Sequence, residues 1–477
     1  MNTKATTSPR NVPSDLDTHE KNERTALLPT TVASLPSLPL PESSLTEKSS
    51  ATGWGSVFNL VNSAVGSGVL SFPWAYRSAG LGLALLVTAA AFVTTQCTQI
   101  ILIRTATAVA ASKNHRCRTL QDLVHESLGR PWATGTSVVI SLYIFGACCS
   151  YMIILCDALR VLSLLSSTIV QQKLAFTIVS WVLVFPLCLA PNMAALEKFS
   201  ATTMVAALFI LAVVAIRAQG FPAANDITWF HLDDWLNPHI SPLNAPPVAI
   251  LAFQAHIQTV PILYELGPDP KAYNAHGTTC KRHHWSFRQV QMSIYVGIAG
   301  GICLLLYSTM GVCGYLTFGD HSLIQSNILD SYNSHTDNLA AAARLVVGLV
   351  MVVSYPVNQF CAQSAILDIL AEVCRQRHGN GIAPWGNTSR QIVTFLFFTS
   401  TFVVALFVQD LGLVFDIIGA TVGVYVIMLL PAALVYNDPT GDIFPFRMLT
   451  FVVLAGVGLA ICGSTLTMHF SALLQNS

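Results

Sequence analysis

Asn62-Ser63-Ala64-Val65-Gly66-Ser67-Gly68-Val69-Leu70-Ser71-Phe72-Pro73 sets polar residues and glycines in the middle of an apolar segment long enough to cross a membrane. Far along the chain, Phe253-Gln254-Ala255-His256-Ile257-Gln258-Thr259-Val260-Pro261 interrupts a second apolar segment in the same way. Both resume into a proline, and aligned on Pro73 and Pro261 they place Gly66 opposite Gln254 and Gly68 opposite His256. An unpaired backbone N–H or C=O is costly in hydrocarbon, so unwound chain survives there only beside protein, water or a ligand. Paired broken helices are the sequence signature of the central site of a secondary transporter.

The composition around these breaks excludes a soluble protein. Hydrophobic residues make up 53% of the 477 residues and charged residues only 10%, with a mean hydropathy of +0.58. A soluble surface needs far more charge. A bilayer core asks for roughly 20 apolar residues per helix, and about eleven such stretches can be found. They lie near residues 54–76, 80–104, 134–163, 173–191, 198–220, 245–265, 289–318, 340–371, 390–407, 411–436 and 444–473. The expected fold class is therefore an all-α multispan membrane protein with 11 transmembrane helices over residues 51–477.

Residues 1–50 differ: rich in Ser, Thr and Pro, they have no apolar core to offset the entropy of ordering and read as a disordered tail. No positively charged start followed by a short apolar run and a small-residue cleavage site is present, so the first span is expected to act as the membrane signal. Lys and Arg in short loops favour the cytosolic side. That bias collects Arg104, Lys113, Arg116, Arg118, Arg130, Lys198, Lys271, Lys281, Arg282, Arg288, Arg375, Arg377, Arg390 and Arg447 with the tail, and leaves Arg77, Arg160, Lys173, Arg217 and Arg344 opposite. It predicts a cytosolic N-terminus and, for an odd number of spans, a C-terminus outside or in a lumen.

The twelve cysteines form no framework: most lie inside spans, none makes a CxxC pair, and apolar packing is the expected role of most. The sequon Asn387-Thr388-Ser389 falls on the cytosolic side of this topology, where it goes unused.

At the first break, Gly66 and Gly68 let the chain leave helical geometry cheaply and Ser67 adds a hydroxyl at the same depth. The half-helix resuming near Val69 turns its free N–H groups and positive dipole end toward the break, which suits a carboxylate. The half-helix ending near Ala64 presents uncapped carbonyls, which suit a cation. Gly-x-Gly also serves close helix packing. The cluster of Asn59, Asn62, Ser63, Ser67 and Ser71 around it favours the site reading, because lipid-facing helices do not carry such a group.

The second break carries Gln254, His256, Gln258 and Thr259. Histidine changes charge near pH 6.5, so His256 serves as a proton sensor, a coupling site or a substrate hydrogen bond, or else as a neutral residue locking two halves together. A third element is Ser354-Tyr355-Pro356-Val357-Asn358-Gln359, with Ser354 and Asn358 one turn apart. Hard cations prefer oxygen ligands, which makes Ser354 a candidate, although a serine in a span also bonds back to its own helix. Among the acids in or near spans, Asp157 with Arg160 reads as an interfacial ion pair, Glu265 ends the sixth span, and Asp416 sits deeper with its role open.

The runs Ser56 to Leu70 and Ala252 to Ile262 resemble the sodium-coupled neutral amino acid transporter family, within the amino acid/auxin permease group. The likeness extends over essentially the whole chain after the tail, and Phe253-Gln254-x-His256 looks most like the glutamine- and asparagine-handling members. It implies a LeuT-like 5+5 inverted repeat with broken helices 1 and 6 and a peripheral span 11. The family's sodium site has a first-span asparagine and a threonine on span eight; Asn62 and Ser354 stand at those positions, the hydroxyl kept and its methyl lost. The resemblance also implies a substrate site at Gly66, Ser67, Gly68, Phe253, Gln254 and His256, with sodium or a proton as the coupling ion and no other cofactor. Several relatives hold a disulfide between the loops after spans five and seven; residues 221–244 and 319–339 contain no cysteine here.

In the tail, Glu23-Arg24-Thr25-Ala26-Leu27-Leu28-Pro29 resembles an acidic dileucine sorting signal, so Glu23, Leu27 and Leu28 are expected to meet a sorting adaptor and to favour a lysosomal or vacuolar membrane over the plasma membrane. The rival to transport is a nutrient sensor, in which the same pocket binds an amino acid and the tail signals. A channel is disfavoured because no filter sequence or ring of charges is seen. An enzyme is disfavoured because no metal-ligand spacing or nucleophile motif stands out.

Overall fold

The computed structural model describes residues 53–113, 115–162, 169–189, 200–220, 227–231, 241–266, 287–319, 324–333, 337–378, 386–408, 410–437 and 446–475. All of them belong to one unit, Ser49–Ser477. The expected tail and its Glu23, Leu27 and Leu28 motif lie outside the described residues.

Among the described residues the regular elements are helical. In chain order the ones used below are α1 (Gly53–Ala64), α2 (Phe72–Ala79), α3 (Leu81–Lys113), α4 (Leu120–Leu128), α5 (Arg130–Leu162), α6 (Ile169–Val179), α7 (Phe185–Cys188) and α8 (Ser200–Gly220). They continue with α9 (Ala245–Ala252), α10 (His256–Glu265), α11 (Phe287–Phe318), α12 (Asn338–His378), α13 (Asn387–Phe407), α14 (Leu411–Ile418), α15 (Leu430–Tyr436) and α16 (Arg447–Gln475). Among the described residues eight segments are long and apolar enough to cross a membrane, including Pro242–Glu265 across its break and Leu411–Tyr436 across two wide π-turns. Lys173–Cys188 and Thr203–Gln219 are shorter apolar helices. This is a multispan integral membrane protein.

Small residues set how closely the helices approach, as they must where lipid gives no hydrophobic drive for helix pairing. Gly311 and Gly314 of α11 accept the ring of Tyr76 and the ring of Pro73 from α2; a β-carbon on Gly314 would lie 2.4 Å from Pro73 Cγ. Gly348 of α12 gives the same room to Ala158 of α5, and Gly419, in the first π-turn, lies against the Pro247 carbonyl at the start of α9. By contrast only 11% of the apolar window of α16 is buried in protein, so most of its surface is left to lipid. A deep polar tie is His469 Nε2, 3.2 Å from Asp416 Oδ2 on α14, and this gives the buried Asp416 a partner.

Two short connecting stretches, the second with a 3₁₀ turn at Ile328–Ser331, hold the second half of the first interrupted helix. In residues 227–231, Thr228 and Trp229 carbonyls accept from the amides of Leu81, Gly82 and Leu83, and His231 N donates to Ala79 O. The chain turns between α2 and α3 at Gly80 (φ 80°), where a β-carbon would meet the Trp229 backbone at 2.9 Å. This left-handed elbow needs glycine. In residues 324–333, the Ser326 carbonyl accepts from Ser71 Oγ (2.7 Å) and the Ile324 carbonyl from Arg77 (3.4 Å).

The 324–333 stretch is in turn gripped by α12. Arg344, buried, donates to Leu329 O (2.9 and 2.5 Å) and Tyr332 O (3.0 Å), and lies 3.5 Å from Asp330. Burial pushes the Asp330 carboxyl above the ordinary aspartate range against the pull of the Arg344 charge. Asp157, paired with Arg160 at 3.0 Å as the i+3 spacing predicts, hydrogen-bonds Asp330 and joins the cluster. Arg344→Met leaves three backbone acceptor contacts without their donor and the partly buried Asp330 without its nearest positive charge, so we expect a loss of about 3 kcal/mol of stability. Thermal unfolding in detergent measures it; a melting temperature equal to wild type would remove Arg344 from the anchors of this loop.

Candidate functional site at two helix breaks

α1 ends at Ala64, where the sequence places the break. The chain then passes through Gly66 in an extended conformation (φ −122°, ψ −150°) and makes a tight 3₁₀ turn over Ser67–Ser71 before α2 begins at Phe72. Regular helix therefore resumes later than the expected Val69, at the point where Pro73 enters the first turn and its preset φ favours helix. Neither Gly66 nor Gly68 takes a positive φ. What glycine gives at position 68 is slimness: a β-carbon there would lie 3.4 Å from Ala252 Cβ and 3.6 Å from Ala252 Cα.

α9 ends at Ala252, and Phe253, Gln254 and Ala255 bridge to α10, which starts at His256. The Ala255 carbonyl anchors the restart by accepting from Gln258 N, Thr259 N and Thr259 Oγ1 at 3.0–3.1 Å. The two breaks thus touch one another, with Gly68 against Ala252.

Tyr307 of α11 confirms the junction. Its hydroxyl lies 2.8 Å from Ala64 O and 2.9 Å from Ala252 O, the last carbonyls of α1 and α9. Its ring stacks on Phe72 (centroids 4.7 Å apart, 13° between planes) and meets Phe253 edge-on (5.1 Å, 77°).

The expected substrate residues are placed as follows. Ser67, Phe253, Gln254 and His256 are buried, His256 completely so. Gln254 Nε2 and His256 Nδ1 are buried without a hydrogen-bond partner. The Thr98 hydroxyl of α3 donates to Thr94 O (2.9 Å) and sits 2.8 Å from His256 Nε2. In the tautomer in which Nε2 carries the ring proton and donates to Thr98, Nδ1 is a bare acceptor. In that tautomer the buried donor on Gln254 and the buried acceptor on His256 match the two faces of a primary carboxamide. A small cavity lined by Leu60, Ala64, Gln96, Gln99, Phe253 and Ala255 adjoins them.

Asn62 is half-buried in the last turn of α1. Ser354 is half-buried on α12, and its carbonyl accepts from Asn358 Nδ2 at 3.1 Å, as their one-turn spacing allows. Asn358 also bonds the Tyr151 hydroxyl of α5, and that hydroxyl lies 3.9 Å from where a Gly66 β-carbon would be. Tyr151 thereby leads from the Ser354 turn to the first break. Sequence reasoning missed Tyr151, Tyr307 and Thr98. The available signal was a phenol or hydroxyl inside an apolar span, which must find a partner when buried.

A larger hollow against Pro131, Trp132, Gly135, Val139 and Tyr425 is open and almost wholly apolar, and offers nothing to hold a charged ligand.

Two interrupted helices that meet in an all-helical membrane protein, with backbone carbonyl ends and buried polar side chains turned to the junction, define a membrane transporter. The chain belongs to the family described as Transmembrane amino acid transporter protein, whose model matches residues 49–469. It is similar to sodium-coupled neutral amino acid transporter 7 of Danio rerio, 25% identical over 460 residues and covering 91% of this chain and 90% of the relative. The Xenopus laevis protein of the same name is 25% identical over 87% of this chain and 88% of its own. Solute carrier family 38 member 8 of Homo sapiens is 26% identical over 81% of this chain and 84% of its own. The family is one of amino-acid transporters, not of enzymes.

Proposed function

We propose that this protein is a secondary active transporter of neutral L-amino acids, glutamine- or asparagine-like, driven by sodium or a proton gradient through alternating access. The observation that carries the reading is the contact between the two breaks, which brings the N–H end of one half-helix and the carbonyl ends of two others to one place. A zwitterion needs such a junction, with its carboxylate at the backbone of Gly66, Ser67 and Gly68 and its ammonium at carbonyls beside Phe253 and Gln254. Gln254 and His256 take the side-chain amide. Asn62 and Ser354 bind the coupling cation, a sodium ion in the names of the relatives.

This reading includes eleven crossings in a LeuT-like 5+5 inverted repeat, with the N-terminus and residues 1–50 in the cytosol. Residence in a lysosomal or vacuolar membrane, through adaptor binding at Glu23, Leu27 and Leu28, is part of the same proposal. The test is uptake by purified protein in liposomes, with sodium and pH gradients imposed separately. Concentrative uptake of glutamine or asparagine under one gradient is the expected result. Failure to accumulate any neutral amino acid under either gradient overturns it.

A further inference from the structure

Aligned on Pro73 and Pro261, Ala64 falls opposite Ala252. The two carbonyls that Tyr307 reaches therefore stand at matching places in the two interrupted segments. Each closes its half-helix, where carbonyls have run out of amide donors. The phenol is fully buried and cannot turn away, because Phe72 stacks on one face of its ring and Phe253 abuts it.

Burying a tyrosine calls for one hydrogen-bond partner; here the hydroxyl reaches two carbonyls and also meets the Cys303 thiol, a weak donor that can only pair with the phenol oxygen and does not serve the carbonyls. A phenol has one hydrogen to donate, and both carbonyl oxygens lie at full bonding distance from it. The junction is one donor short, so the two carbonyls compete for a single proton. We infer that Tyr307 is the positioning residue that ties the ends of the two interrupted helices to each other.

The inference rests on the reading that the breaks hold the ligand, and adds a third helix to it. A cation or ammonium group that takes one carbonyl frees the phenol proton for the other. Occupancy of either half-helix end is thus felt by its counterpart through one side chain on α11. The Phe72 stack carries the same displacement to the start of α2.

The test compares wild type with Tyr307→Phe, which keeps the ring and removes the hydroxyl, as full-length protein in lipid nanodiscs. Without ligand, amide hydrogen exchange should speed up about tenfold in both residues 53–68 and residues 245–258, with α16 unchanged, as the loss of one net hydrogen bond implies. Acceleration in only one segment, or in neither, overturns the inference. Phe72→Leu, a second variant that leaves the hydroxyl in place, should loosen both segments together by about threefold; loosening of the first alone counts against the tie.

In liposomes, Tyr307→Phe should raise KM about tenfold while kcat stays within about twofold, because the carbonyls lose their shared alignment. A fall in kcat and protein yield at unchanged KM marks an ordinary packing residue and overturns the inference. Should wild type itself carry no neutral amino acid, the transport reading fails, and the exchange measurement still decides the tie.

Discussion

Gly68→Leu is expected to reduce amino-acid uptake by on the order of 100-fold or more while the protein still reaches the membrane. The reason is contact distance. A β-carbon at position 68 already lies 3.4 Å from Ala252 Cβ, so an isobutyl group beyond it has to force α9 away from the 3₁₀ turn. That movement spreads the carbonyl and N–H ends on which a zwitterion would close. The surrounding scaffold is held by contacts elsewhere, such as Gly314 against Pro73 and Gly348 against Ala158, so the damage stays local. Gly68→Ala makes the control, because 3.4 and 3.6 Å are ordinary van der Waals distances and the backbone there is not left-handed. Uptake into liposomes, normalised to reconstituted protein, separates the two. A leucine variant that transports at the wild-type rate would show that the breaks need not touch for transport.

Asn62→Ala should weaken sodium activation before it harms recognition of the amino acid. Asn62 lies in the last turn of α1, two residues before the Ala64 carbonyl that Tyr307 holds, and its amide oxygen is the neutral oxygen donor that a hard cation prefers. An interaction with a charged group contributes about 1.5–3 kcal/mol, so its loss raises the sodium needed for half-maximal uptake roughly 10–100-fold. The measurement is a sodium activation curve at saturating substrate, set beside substrate binding in the absence of sodium. An unchanged activation curve removes the asparagine from the ion site.

The positions of the breaks were legible because glycines, polar residues and a following proline have local effects. Ala64 ends its helix as expected, and His256 opens the resumed one. Where regular helix begins again after the first break was less legible. Nothing in Ser67-Gly68-Val69-Leu70 distinguishes a 3₁₀ turn from an α-turn, and only Pro73 marks the later start at Phe72. The glycines themselves were understood through conformational freedom, whereas the structure uses the missing side chain at Gly68.

Local pairs could be read directly. Asp157 meets Arg160 because residues three apart share a helix face, and the Asn358 side chain reaches the backbone carbonyl of Ser354 one turn earlier. Partners separated by whole helices could not. Tyr307 finds Ala64 across 243 positions, and Thr98 finds His256 across 158. Those meetings are decided by which helices pack together, and an apolar span gives little sign of its neighbour. Asp416 shows the same limit: a lone acid in the sequence is joined to His469 only by the placement of α16.

The Gly80 elbow makes the first interrupted helix mechanically lopsided. Its second half is pinned at Ala79 by His231, at Ser71 by the Ser326 carbonyl, and at the elbow by the Trp229 backbone, whereas Trp54 in the first half is 74% exposed. A push at the junction thus meets backbone clamps on one side and, on the other, a helix held only by the packed face of Ser56, Val57, Leu60 and Val61 and by the Tyr307 hydroxyl at its end among the contacts described.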